Sequence, residues 1–249
     1  MSTGIDQKES HFGVVSGTIE VAGQQRPFYC HNTQLSLEVL QEIYAGRTYF
    51  LLPFIDNVRT IVDIGANVGA STIYFAMNYP QARILAFEPF PESYELLARN
   101  IQNMPNIIAF DYGLFDQDKQ ADLHLGLQDS VQGSIGACTE VSADKQVTVT
   151  LRDAKTVFVE QNVEEIDILI LDTEGCELPI LRSIADLFSR VGVFYVEFHH
   201  EADRLEIDRM LRPTHLLVKG NISGPDRGEL CYALRKRIPD RINALGISL

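Results

Sequence analysis

Positive charge is scarce in this chain. Its 249 residues carry 34 acidic and 21 basic side chains, a formal net charge of -13. A surface of that sign repels phosphate backbones and anionic lipids unless a local basic patch overrides it. The only dense basic cluster is Arg235, Lys236 and Arg237, at the end of a predicted strand, where it reads as a solvated edge. Nucleic acid and membrane surfaces are therefore set aside as partners. Cysteine is sparse as well. Cys30, Cys138, Cys176 and Cys231 stand far apart, with no C-x-x-C spacing. That argues against a disulfide framework or a zinc knuckle and for reduced, packed thiols. No apolar run reaches the roughly 18 residues of a membrane span. The first ten residues, Met1 to Ser10, are polar and lack the basic start and apolar core of a secretory signal. The expected compartment is the cytoplasm, and self-association is left open.

What remains is an ordinary globular mixture, 45% hydrophobic and 22% charged, enough to fill one large α/β domain rather than stay disordered. Residues 1–57 read as a lead-in. Val14, Thr18, Ile19 and Val21 surround a turn expected at Gly17, and Pro27-Phe28-Tyr29 follows. Then Leu35, Val39, Leu40, Ile43 and Tyr44 recur at helical spacing up to a stop at Gly46. Residues 58–249 alternate instead. Short apolar runs predict strands at 60–64, 83–87, 107–110, 147–151, 166–171 and 191–198, with helices at 70–78, 91–103, 178–189 and 202–211 between them. The polar stretch 113–143 reads as a hairpin and a loop, and 215–218 with 229–234 as a terminal strand pair joined through Gly220, Gly224 and Pro225. The expected fold is α/β: a mostly parallel Rossmann-like sheet with helices on both faces and a C-terminal antiparallel strand pair.

In such sheets ligands bind at the carboxyl ends of the strands. Five polar residues close apolar runs there: Asp63, Glu88, Asp111, Asp172 and His199. The first strand runs into Val62-Asp63-Ile64-Gly65-Ala66-Asn67-Val68-Gly69-Ala70-Ser71-Thr72. Glycines at 65 and 69 allow a tight turn and close approach to a ligand. A side chain at 65 is therefore expected to abolish ligand binding, by filling space the ligand needs or by forbidding the backbone angles of the turn. The next helix points its free N–H groups the same way. Asp63 offers a carboxylate to an amino group. The second strand ends in Phe87-Glu88-Pro89, and Glu88 lies where a ribose-binding acid should. A dinucleotide site wants G-x-G-x-x-G, but Asn67 and Ala70 stand where the later glycines would fall. An acid closing the first strand suits the ammonium of S-adenosylmethionine and would repel a pyrophosphate. The plain alternative is a structural strand-turn-helix with an exposed acid.

The glycine turn, then Phe87-Glu88-Pro89, then Leu171-Asp172-Thr173-Glu174-Gly175-Cys176-Glu177 together resemble the FkbM family of methyltransferases, over roughly residues 58–200. The resemblance implies a class I methyltransferase fold, S-adenosylmethionine as donor, and O-methylation of a natural-product or sugar hydroxyl. It implies that Asp63, Gly65, Asn67 and Gly69, with Thr72 in the same turn, hold the methionine part. Glu88, with Pro89 beside it, would hold the ribose. Phe90 and the chain at Asp111 and Tyr112 would flank the adenine. Asp172, Glu174, Gly175 and Glu177 match the family's D-x-E-G-x-E signature. Many members carry a lysine two residues before that first acid. Here it is Ile170, so that lysine's role does not carry over.

Methyl transfer to oxygen needs alignment and loss of a proton. Asp172 stands at a strand end, and alternation along 191–198 puts Glu197 and His199 on one face. A histidine suits general-base work near neutral pH. Asp172, Glu174 and Glu197 could instead hold a divalent metal that activates the hydroxyl. Glu174 and Glu177 could equally just favour the N-terminal end of the following helix. The lead-in, with Tyr44, Tyr49 and Phe50, and the loop at 126–140 are expected to cover a small hydroxyl-bearing acceptor. An NAD-dependent oxidoreductase, a non-catalytic methyltransferase-like module and N-methylation remain as alternatives.

Overall fold

The computed structural model describes residues 13–21, 23–125, 133–135, 146–224 and 226–238. Cys138, Pro225 and the expected loop at 126–140, apart from Gly133–Ile135, lie outside the described residues, as does the N-terminal decapeptide.

The chain opens with a hairpin, β1 (Val14–Val21) and β2 (Gln24–His31). Gly17 is paired with Phe28 inside it, and the chain reverses between Val21 and Gln24. The turn expected at Gly17 is thus corrected: the reversal falls beside Gly23, whose φ of 75° is the left-handed angle a tight turn needs. Helix α1 (Gln34–Tyr44) follows, its first turn closed by the Thr33 hydroxyl, which accepts the Ser36 N–H at 3.0 Å.

The central sheet holds seven strands in the order β12-β13-β11-β10-β3-β4-β5. They are β3 (Thr60–Ile64), β4 (Arg83–Phe87), β5 (Ile107–Phe110), β10 (Ile166–Leu171), β11 (Val191–Phe198), β12 (His215–Ile222) and β13 (Gly228–Leu234). Strands β5, β4, β3, β10 and β11 run parallel, and β13 pairs antiparallel with both β11 and β12. Helices α2 (Ala70–Asn78), α3 (Pro91–Asn100), α4 (Ala154–Glu160), α5 (Glu177–Ser183) and α6 (Glu201–Leu211) make the crossovers. The chain leaves β3 toward β4 on one side and later returns to β10 on the other. That reversal opens a crevice at the carboxyl ends of the strands.

Alternation along the strands splits the core in two. Ile61, Ile84, Ile168 and Ile170 face one cluster, and Val62, Leu85, Leu169 and Leu171 the other. The first cluster also contains Phe28, Cys30, Ile43, Tyr49 and Leu52, so the hairpin and α1 pack on the same apolar face as α2. This double cover leaves α2 buried from Ala70 to Met77.

The hairpin expected within 113–143 and the strand expected at 147–151 are parts of a larger unit. They form a second sheet, β6-β9-β7-β8, from β6 (Gly113–Phe115), β7 (Lys119–Leu125), β8 (Gly133–Ile135) and β9 (Gln146–Asp153). Its apolar face, Leu123, Val149 and Leu151, closes over Phe90. Helix α4 has no counterpart among the expected elements, because seven residues are too few to show a period. The helix expected at 178–189 splits into α5 and a 3-10 turn, Ala185–Arg190. Among the described residues no helix is long and apolar enough to cross a membrane.

The solvated role expected for the basic cluster is corrected at Arg237. Its guanidinium meets Asp167 Oδ1 at 2.7 Å. Asp167 Oδ2 accepts the N–H groups of Arg59 and Thr60 at 2.7 and 3.1 Å. One buried carboxylate thus ties β10, the start of β3 and the end of the described chain. Asp167→Ala strips three donors of their partner and is expected to lower stability by about 3 kcal/mol. Denaturant unfolding should show a lower midpoint at unchanged slope, with Asp167→Asn losing less.

Candidate active site

A cavity of about 380 Å³ opens at the carboxyl ends of β3, β4, β10 and β11 and is walled on one side by α1. The turn after β3 shapes its floor. Gly65, Asn67 and Gly69 all take left-handed φ angles, 89°, 48° and 89°. The Phe87 carbonyl accepts the N–H groups of both Gly65 and Ala66 at 3.0 Å, which draws the turn toward β4. The two glycines serve the protein's own packing. A Cβ on Gly65 would lie 1.7 Å from the Asp172 carbonyl oxygen, and one on Gly69 would lie 2.7 Å from Leu97 Cδ1. A side chain at 65 would collide first with the loop after β10, at a φ that disfavours any side chain, while Gly65 itself lines the cavity.

Asp63 is fully buried and does not line the cavity. Its Oδ2 accepts the hydroxyls of Ser71 and Thr72, which places Thr72 behind the turn rather than on the cavity. Its Oδ1 has no hydrogen-bond partner among the described residues. Burial pushes this carboxyl up to about 6. Glu88 does reach the cavity. Its Oε2 accepts the Asn67 N–H and its Oε1 the Phe90 N–H, both at 2.7 Å. Burial pushes it up to about 7 despite these bonds. Pro89 and Phe90 line the wall beside it. Asp111 and Tyr112 do not, and their expected place is taken by Gly113 and Leu114. The physical reason is aromatic packing, since Tyr112 is held against Phe87 and Phe110 with Arg152 over its ring.

On the β10 side the cavity is lined by Asp172, Thr173, Glu174, Cys176 and Glu197. Tyr49, from the lead-in, stands over Asp172, its hydroxyl 3.4 Å from Oδ2. Burial and the neighbouring Glu197 charge hold the Asp172 carboxyl well above its usual range. Glu177 turns away from the ligand side and accepts the Thr173 and Gly175 N–H groups, which closes the loop on itself. His199 does not line the cavity. It sits behind the acids, with Nε2 2.8 Å from Glu174 and 3.4 Å from Glu197. Burial opposes its charged form, but the bond and charge of Glu174 more than offset that and raise its pKa.

Arg227 and the contact of Tyr49 with Asp172 carry little mark in the sequence. Arg227 Nε meets Glu197 at 2.9 Å and its Nη2 meets Glu174 at 3.2 Å. The only cue in the sequence is a lone arginine in the turn between β12 and β13. Glu174, Glu197 and His199 offer ligand atoms within 4.8 Å of one another, a spacing a metal could use. That set contains His199 in place of the expected Asp172. The Arg227 guanidinium already supplies positive charge there, and a dication would have to displace it.

The sheet order, the glycine turn after β3 and the acid after β4 define a Rossmann-like class I methyltransferase. A fibrillarin from Methanococcus jannaschii, a pre-rRNA processing protein, shares this fold with a TM-score of 0.51 over 88% of this chain and 82% of that one, at 12% identity. The chain belongs to the FkbM methyltransferase family, whose methyltransferase FkbM domain matches residues 63–219. Methyltransferase 1 of Beauveria bassiana is 29% identical over 167 residues, 59% of this chain and 66% of that protein. Methyltransferase sdnD of Sordaria araneosa is 28% identical over 203 residues, 68% and 77% of the two chains. The 2-O-methyltransferase NoeI of Sinorhizobium fredii is 23% identical over 151 residues, 55% of this chain and 62% of that protein. The chain thus spans just under two thirds of the first and third of these relatives.

The raised pKa of Glu88 has a consequence for stability. Its usual value is 4.5, so between about pH 4.5 and 7 the folded chain keeps a proton that the unfolded chain releases. Stability of the ligand-free protein therefore falls as pH rises through that window, by up to about 3 kcal/mol from this group. Denaturation of wild type and Glu88→Gln at about pH 5 and about pH 8 isolates it. The variant should lose that part of the slope, and equal slopes would mean that Glu88 ionises as freely folded as unfolded. Separately, Gly65→Ala should cost more than about 3 kcal/mol, the range of severe steric and backbone strain. An unchanged melting temperature would show that the two loops do not meet.

Proposed function

We propose that this protein transfers the methyl group of S-adenosylmethionine to a hydroxyl oxygen of a small acceptor, a sugar or natural product, that bears no negative charge. The observation that carries this reading is the pair of carboxylates, Glu88 buried and Asp172 half-buried, facing one cavity from opposite sides of the glycine turn.

The chain's own groups fit such a donor. Glu88 has both oxygens oriented by backbone N–H groups, with lone pairs left for two ribose hydroxyls. Asp63 keeps a buried oxygen without a partner behind the turn that would hold the methionine part. Phe90 offers an apolar face beside Glu88. The bound donor would supply an electrophilic methyl on sulfur. Asp172 then receives or steers the proton of the acceptor hydroxyl, and its upward shift makes it a stronger base than an ordinary carboxylate. Tyr49 holds Asp172 from the opposite side. His199, raised in pKa and screened by Glu174 and Glu197, acts with Arg227 as a counter-charge to those acids rather than as the direct base. We take residues 58–249 as the catalytic unit and the lead-in as the cover of the acceptor side.

The charge of the cavity narrows the acceptor. Glu38 and Glu42 of α1, with Glu88, Asp172, Glu174, Glu197 and Glu229, line it, and among the described residues no lysine, arginine or histidine does. A carboxylate or phosphate on the acceptor would be repelled there. The buried free thiols Cys30, Cys176 and Cys231 suit a reducing compartment, in keeping with the cytoplasm.

The test combines binding and product analysis. Calorimetry should show S-adenosylmethionine binding, weakened about 10- to 100-fold by Glu88→Ala, the worth of a charge-assisted hydrogen bond. A panel of neutral, cationic and anionic hydroxyl compounds, read by mass spectrometry, should give methylated products only outside the anionic group. Asp172→Asn should lower turnover about 10²–10⁴-fold at unchanged donor affinity. Binding of NAD but not of S-adenosylmethionine would sink the reading, and chelator inhibition reversed by magnesium would replace Arg227 by a metal as the counter-charge.

A further inference from the structure

We propose that His31 is a positioning residue for the donor site: through Ser93 and Asn67 it fixes the carboxylate of Glu88. This rests on the reading of Glu88 given above. It brings into the site a residue of β2, outside the residues 63–219 that match the family domain.

The chain of contacts is continuous. Glu88 Oε2 accepts the Asn67 N–H at 2.7 Å. That N–H points at Glu88 only while Asn67 keeps its left-handed φ of 48°, a conformation asparagine tolerates but does not prefer. The Asn67 side chain is tethered in turn, its Oδ1 accepting the Ser93 hydroxyl at 3.1 Å. His31 Nε2 lies 3.1 Å from the same Ser93 oxygen. A serine has one hydroxyl proton, and Ser93 gives it to Asn67, so His31 Nε2–H must donate to Ser93. His31, Ser93 and Glu88 are all buried, at 1%, 1% and 7% exposure, where such bonds gain strength from the low dielectric. The His31 ring also packs at 6.5 Å from Phe90, the other residue holding Glu88.

Docking of the hairpin does not depend on His31 alone. Asn100 on α3 exchanges hydrogen bonds with the Tyr29 backbone at 2.8 and 2.7 Å and donates to the Val68 carbonyl at 2.8 Å. The hairpin therefore has a second polar clip on the same turn, and loss of the His31 bond should leave it in place. What changes is the freedom of Asn67 and, with it, the rotamer of Glu88.

The experiment is calorimetric titration with S-adenosylmethionine and steady-state kinetics on wild type, His31→Ala, His31→Gln, Ser93→Ala, the His31→Ala/Ser93→Ala double variant and Glu88→Ala. His31→Ala should weaken donor binding about 3- to 10-fold, the worth of one buried neutral hydrogen bond, raising the donor KM while kcat stays within about twofold. His31→Gln, whose amide N–H can replace Nε2–H, should restore most of the affinity. The double variant should bind no worse than the weaker single variant, because both act on one path. If His31→Ala fails to fold, Ser93→Ala and His31→Gln carry the comparison. Wild-type affinity in His31→Ala or Ser93→Ala, with Glu88→Ala weakened, overturns this inference and leaves the donor site standing, as do losses that multiply in the double variant. Wild-type affinity in Glu88→Ala overturns the reading of the donor site and this inference with it.

Discussion

The site depends on one close approach. The turn after β3 and the loop after β10 meet so tightly that the Asp172 carbonyl occupies the space where any side chain at position 65 would begin. The Asp172 N–H also bonds the Ile64 carbonyl at 3.1 Å, which carries the parallel pairing of the two strands one residue beyond its end. With the loops in contact, Glu88 and Asp172 face the same cavity from the strands on either side of β3. Were they apart, the crevice at the switch point would be open to water and the carboxylates would revert to ordinary surface acids.

Burying acids has an electrostatic cost that the structure answers in different ways on its two sides. Around the glycine turn the answer is neutral donors: two hydroxyls on Asp63 and two backbone N–H groups on Glu88. These reduce the penalty without cancelling it, so both groups titrate closer to neutrality than free carboxyls. On the β10 side the answer is the Arg227 guanidinium, which stands with His199 behind Glu174 and Glu197. Asp172 lies between these regimes, with a tyrosine hydroxyl for company. A positively charged ligand is therefore the natural complement of the cavity, and a sulfonium donor is one.

The lead-in changes what counts as the enzyme. Its hairpin and α1 cover α2, contribute Phe28, Ile43 and Tyr49 to the first core cluster, and wall the cavity. Their pattern in the sequence is weak, because short amphipathic pieces resting on another unit show only half of their own packing. The joining of the second hairpin and β9 into one sheet was hidden for a related reason. Strands β6 and β8 have three residues each, and the apolar face of the sheet meets Phe90, which lies far away in sequence.

Local periodicity and turn chemistry can be read from residue order alone. The buried strands of the central sheet and the two left-handed glycines are local facts, since an apolar run and a missing Cβ act through nearest neighbours. The order of glycine turn, the acid after β4 and D-x-E-G-x-E loop was legible for the same reason, and with it the family. Which candidates share a cavity was decided only by the tertiary structure. Asp63 and Thr72 closed on each other behind the turn, Tyr112 was drawn into an aromatic stack, and His199 fell behind two glutamates. Tyr49, Arg227, Ser93 and His31 came in from elements remote in sequence, carried by sheet order and helix packing. A side chain's role depends on its neighbours in space, and for these residues those neighbours lie more than 25 positions away along the chain.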